Sequence, residues 1–148
     1  MKSHARSVRA LGEIALRVND LVKMERFYEE IVGLEPMKRF PKAAFFRIAE
    51  GHAGHTQVLA LFDRSDEARG PQIHQLTPEG VSPKRSTLDH LAFGIDLAAL
   101  EGERVRLEGL GLEIEVKAHA WIGWRSLYFK DPEGNTVEFV CFDEGLKE

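Results

Sequence analysis

The chain has 148 residues, enough for one compact domain with a real core, and 43% of them are hydrophobic and 30% charged. A net charge of −4 leaves no basic excess to neutralise phosphates, which argues against a nucleic-acid partner, and no apolar stretch approaches the roughly 20 residues of a membrane span. The lone cysteine, Cys141, excludes an intrachain disulfide and a cysteine-based zinc site, and the basic start "MKSHARSVRALGEIAL" lacks the apolar core of a secretory signal, so a cytoplasmic protein is expected.

The first predicted elements lie in "EIALRVNDLVKMERFYEEIVGLE", residues 13–35. A short alternating strand meets Asp20, an aspartate suited to N-capping. The helix after it carries an apolar stripe of Leu21, Met24, Phe27 or Tyr28, and Ile31, and Gly33 is a natural residue to end it. Strands are predicted near 34–38, 43–49 and 56–62. Next comes "DRSDEARGPQIHQLTPEGVSPKRST", polar, with three prolines and no clear period, read as a linker over 63–87.

The pattern then repeats. In "HLAFGIDLAALEGERVRLEGLGLE", residues 90–113, a strand leads to Asp96 as the N-cap of a second helix, striped by Leu97, Leu100, Leu107 and Leu110 and closed by Gly111. Strands follow near 112–118, 123–130 and 135–142, the last two joined by the turn "DPEGN". The order is βαβββ twice. The predicted fold is α+β, with a module over about 10–62 and another over about 88–143. Each is too small to bury enough surface alone, so the two are expected to form one domain over 10–143.

Alternation sorts the side chains of each strand. Ile14, Leu16 and Val18 form a helix-facing set, as do Leu91, Phe93 and Ile95, and Val137, Phe139 and Cys141. Cys141 is therefore read as structural. The opposite faces carry Glu13, His90 and Glu138. A carboxylate in a half-buried strand must be paired or coordinated. If the two sheets curl toward each other, the three side chains line one cavity and offer a divalent metal two carboxylates and an imidazole. This oxygen-rich set favours Fe²⁺ or Mn²⁺, with Ni²⁺ and Zn²⁺ as alternatives. His52 and His55, in a glycine-containing turn, read as solvated. His74 lies in the linker and His4 near the N-terminus.

Together, the doubled βαβββ plan, "EIALRVNDL…FYEEIVGLE", "LDHLAFGID" and "LYFKDPEGNTVEF" resemble the vicinal oxygen chelate superfamily. That group includes glyoxalase I, extradiol dioxygenases, fosfomycin-resistance transferases, methylmalonyl-CoA epimerases and metal-free bleomycin-binding proteins. The resemblance implies metal ligands at His90 and Glu138, and at Glu13 where the family usually has histidine. Ala60 stands where glyoxalase I and the epimerases use a fourth ligand, which leaves three. The resemblance also makes Tyr128 a catalytic donor to a metal-bound substrate oxygen. Trp124 and Ser126 share its face by alternation, and Phe62 is expected to join them in binding substrate. Extradiol enzymes carry an acid–base histidine in or near the strand that is "VLALF" here. This strand has none, and His55 and His74 are the candidates to replace it.

The resulting expectation is a metal-dependent enzyme acting on a small molecule with adjacent oxygens, leaning to dioxygenase chemistry. An isomerase or lyase is the alternative within that class. The rival from another class is a metal-free protein that binds a drug or metabolite through Phe62, Trp121 and Trp124. Uncovered sheet edges and the habit of relatives with this fold predict a homodimer.

Overall fold

The computed structural model describes residues 7–66, 88 and 90–146. The chain divides into two compact units, Met1–Gln75 and Leu76–Glu148. The predicted linker lies, apart from residues 63–66, outside the described residues, as do His4 and His74.

The first unit runs β1 (Glu13–Val18), α1 (Leu21–Arg26), a π-helical segment (Phe27–Val32), β2 (Glu35–Phe40), β3 (Ala43–Glu50) and β4 (Thr56–Asp63). Asp20 caps α1 by accepting from the Lys23 backbone N–H at 3.1 Å. Leu21, Met24, Phe27 and Tyr28 are buried, so the predicted stripe is the packed face. The helix closes where the Tyr28 carbonyl accepts from both Gly33 and Leu34 N–H, at 3.1 and 2.9 Å. Gly33 takes a left-handed φ of 88° there, which a side chain would disfavour.

The four strands form one sheet in the order β1-β4-β3-β2, with β1 parallel to β4 and the remaining pairs antiparallel. Only a crossover can join parallel strands, and α1 with its π-helical extension lies on the route from β1 to the hairpins.

The second unit repeats this plan with β5 (His90–Gly94), a 3₁₀ turn (Leu97–Ala99), α2 (Leu100–Gly109), β6 (Glu115–His119), β7 (Trp124–Lys130) and β8 (Thr136–Phe142). A 3₁₀ turn at Glu144–Leu146 ends the described chain. Its sheet has the order β5-β8-β7-β6, again with the outer and inner strands β5 and β8 parallel. The α+β fold of two βαβββ modules is therefore observed.

The second helix departs from expectation. Asp96 precedes the 3₁₀ turn and makes no side-chain cap bond, and α2 begins only at Leu100. A 3₁₀ turn advances by three residues per turn, so it shifts the phase of the predicted stripe. Leu97 and Leu110 are 44% and 53% exposed, while Leu107 is fully buried. Three arginine–carboxylate pairs, at Glu101, Glu108 and Glu103, cover the outer surface of this helix instead.

Candidate functional site

The turn before β8 sets the geometry. Asp131, only 4% exposed, accepts at Oδ1 from the Glu133 and Asn135 backbone N–H groups, both at 2.9 Å, and at Oδ2 from Asn135 Nδ2 at 2.8 Å. Gly134 supplies the left-handed φ of 85° that the reversal needs. Closing the turn this way fixes the β7–β8 register.

That register makes Tyr128 and Glu138 direct partners and places Ser126 opposite Val140. Further across the sheet, Ala92 pairs with Glu138, Glu115 with Tyr128, Lys117 with Ser126, and His119 with Trp124. Residues opposite one another, or two apart on a strand, share a face. His90, Glu138, Tyr128, Ser126, Trp124 and His119 therefore occupy one side of this sheet.

Glu138 is 4% exposed, so its carboxylate depends on its neighbours. Two partners stand at its two oxygens, and the Tyr128 phenol is a further hydrogen-bond partner of the carboxylate. Oε1 lies 3.2 Å from His90 Nε2, and Oε2 accepts from the Ser126 hydroxyl at 3.0 Å. Ser126 has no exposed surface, whereas the His90 side chain is 38% exposed. The pair thus joins a rigid buried carboxylate to an imidazole that reaches solvent. A carboxylate oxygen and a ring nitrogen 3.2 Å apart are donors of the kinds a divalent metal takes. Among the described residues no group of three or more histidine, cysteine, aspartate or glutamate side chains forms a metal cluster.

Tyr128 stands over this pair with its ring edge-on to His90, centroids 6.2 Å apart. Burial pushes its phenol above the ordinary value. The nearby Ser126 hydroxyl opposes that shift, and the Glu138 carboxylate adds to it by its charge and by accepting from the phenol. The phenol therefore keeps its proton throughout the neutral range. Its oxygen is 3.1 Å from His119 Nε2.

His119 is a site residue that sequence reasoning missed. The predicted strand ended at 118, one residue short, although the period-2 series Glu115, Lys117, His119 would have placed it on the face of Tyr128. A cavity of about 480 Å³ opens here, lined by His90, Glu115, Lys117, Tyr128, Lys130 and Thr136 among others. Trp124 is 41% and Trp121 74% exposed.

The remaining candidates belong to the first unit. Glu13 is an exposed residue at the start of β1, paired with Val58. Ala15 and Ala60 are partners in the same ladder, and Ala60 is fully buried. Phe62 packs edge-to-face on Phe45, centroids 5.6 Å apart, and lines a separate cavity of about 530 Å³ with Phe40, Lys42 and Asp66. The His55 ring lies against Gly12, the residue before Glu13, and both His52 and His55 are exposed, as expected. Cys141 is buried with its thiol directed to the Arg125 carbonyl at 3.6 Å, a packing role.

Two βαβββ sheets, the second carrying a histidine–glutamate pair, define the structural class of this chain. The family model of the Glyoxalase/Bleomycin resistance protein/Dioxygenase superfamily matches residues 10–139, and the chain belongs to that superfamily. It is similar to the crystal structure of a lactoylglutathione lyase from Agrobacterium tumefaciens, with 29% identity and a TM-score of 0.68 over 92% of this chain and 96% of that one. A glyoxalase/dioxygenase from Nostoc punctiforme shares the fold at 23% identity and a TM-score of 0.66, covering 97% of this chain and 99% of that one. A mutant of the fosfomycin resistance protein FosX from Listeria monocytogenes, complexed with Mn(II) and 1S,2S-dihydroxypropylphosphonic acid, does so at 24% and 0.62, covering 93% of each chain. A search of curated proteins gives no match.

Proposed function

We propose that the protein is a divalent-metal-dependent enzyme acting on a small substrate with two adjacent oxygens, with chemistry of the dioxygenase type. His90 and Glu138 hold the ion, Fe²⁺ or Mn²⁺, and among the described residues no third histidine, cysteine or carboxylate joins them. The observation that carries this reading is the buried Glu138 carboxylate with His90 Nε2 at 3.2 Å, beneath a phenol that is itself in contact with a histidine. Bound there, the ion supplies Lewis acidity toward the substrate oxygens.

The other groups of the face have separate tasks. Tyr128, kept protonated by burial and by the neighbouring carboxylate, donates a hydrogen bond to a substrate oxygen as negative charge builds on it. His119 controls whether that donation is available. With its proton on Nε2, it donates to the phenol oxygen and leaves the phenolic hydrogen for the substrate. With its proton on Nδ1, it accepts that hydrogen itself. It also supplies an acid–base imidazole in the second module, whereas the strand "VLALF" of the first module has none. This supports the dioxygenase reading over the isomerase or lyase reading, and the lactoylglutathione lyase similarity keeps the latter as the second choice.

Elemental analysis of protein purified without chelator tests the proposal. One equivalent of Fe²⁺ or Mn²⁺ is expected, and Glu138→Ala should lose it while keeping the fold. A wild type that retains no metal after loading and desalting would leave the metal-free binding reading standing. Oxygen uptake by the Fe²⁺-loaded protein with catechols, against metal-dependent turnover of a hemithioacetal without oxygen uptake, separates dioxygenase from lyase.

A further inference from the structure

Resting on the metal-dependent reading above, we infer that Ser126 is a positioning residue that selects Oε1 of Glu138 as the ligating atom by holding Oε2. A carboxylate has two equivalent oxygens and rotates easily about its last torsion, which has only a broad preference. Here the two are made different. Oε2 receives the Ser126 hydroxyl at 3.0 Å, and Oε1 is left directed at His90 Nε2, 3.2 Å away.

The backbone makes this arrangement stiff. Ser126 is opposite Val140 on β8, two residues from Glu138, so the hydroxyl approaches from the neighbouring row of the same face. Both groups are buried, Ser126 fully and Glu138 to 4% exposure, so water does not compete for Oε2. By alternation Ser126 shares the pocket face, but with no exposed surface it sits beneath the substrate region. Its hydroxyl acts through Glu138, in the way that outer partners orient ligands and set metal affinity.

Titration with Mn²⁺, followed by the paramagnetic resonance of free and bound ion, tests this in the wild type, Ser126→Ala, Ser126→Cys and Ser126→Thr. Cysteine nearly conserves volume but donates weakly, so it separates the lost hydrogen bond from a packing defect. Thermal melts of the metal-free proteins report on packing alone. Ser126→Ala and Ser126→Cys should weaken Mn²⁺ binding about 10–100-fold. Their bound-ion spectrum should also change, because the carboxylate no longer presents one fixed oxygen. Ser126→Thr, which keeps the hydroxyl, should restore both.

Wild-type affinity and an unchanged spectrum in Ser126→Ala and Ser126→Cys would overturn the inference while leaving the metal reading intact. A wild type that binds no Mn²⁺ would overturn the two together.

Discussion

Tyr128 and His119 are the residues on which catalysis and mere binding part company. If the phenol donates to a charge that develops during reaction, Tyr128→Phe keeps the ring and its packing yet lowers kcat about 10²–10³-fold, with metal content unchanged. Unaltered kcat would reduce Tyr128 to pocket wall. Because the two side chains touch, His119→Ala and Tyr128→Phe should not be additive, and a double-mutant cycle should show a coupling of about 0.5–3 kcal/mol. The phenol also leaves a signature in stability. Its value is raised in the fold, so the unfolded chain loses the proton first, and stability falls as pH rises above about 10. Denaturation midpoints between pH 8 and 11 should fall more steeply for wild type than for Tyr128→Phe. Cys141, also pushed up by burial, contributes equally to both and cancels in the comparison.

At the scale of elements, two short turns hold much of the fold in register. The Asp131 carboxylate satisfies three donors in the turn that launches β8, and those donors are orphaned in Asp131→Ala. A loss of about 2–4 kcal/mol in unfolding free energy is expected, with weakened metal binding because Glu138 follows in the same strand. Gly33 is a smaller case of the same logic. A Cβ there meets nothing within 4 Å, so Gly33→Ala is charged only for its left-handed backbone, about 1–2 kcal/mol. A loss well beyond that range would mean the π-helical segment itself depends on the glycine.

For the whole molecule, an ion that binds only the folded chain must stabilise it. At 100 times its dissociation constant, Mn²⁺ should add about 2.7 kcal/mol, read as a higher melting temperature that Glu138→Ala abolishes. Glu13→Ala should also blunt that increase if the first unit contributes a ligand, and an increase equal to wild type would remove Glu13 from the donor set. Homodimerisation is proposed on the exposed edges β2 and β6, which leave Met37, Phe40 and Val116 about half exposed. Light scattering should give about twice the 16.7 kDa chain mass, and a value near the chain mass at micromolar concentration would count against it.

Much of this protein is legible in one dimension. The repeated strand–helix–hairpins order, the Asp20 cap, Gly33 and the position of each strand to within a few residues follow from local chemistry, because capping, left-handed glycine and period-2 alternation act over a few residues. The same alternation put His90 and Glu138, with Glu13, on the faces turned away from the helices, and the family resemblance added Tyr128. What it left undecided needed neighbours distant in sequence. The phase of α2 depends on a 3₁₀ turn that no residue pattern marks, and His119 joins the face only through the β6–β7 ladder. Most of all, the sequence has no way to distinguish the two oxygens of Glu138. Only packing, which brings a buried hydroxyl to one and an imidazole to the other, makes them different.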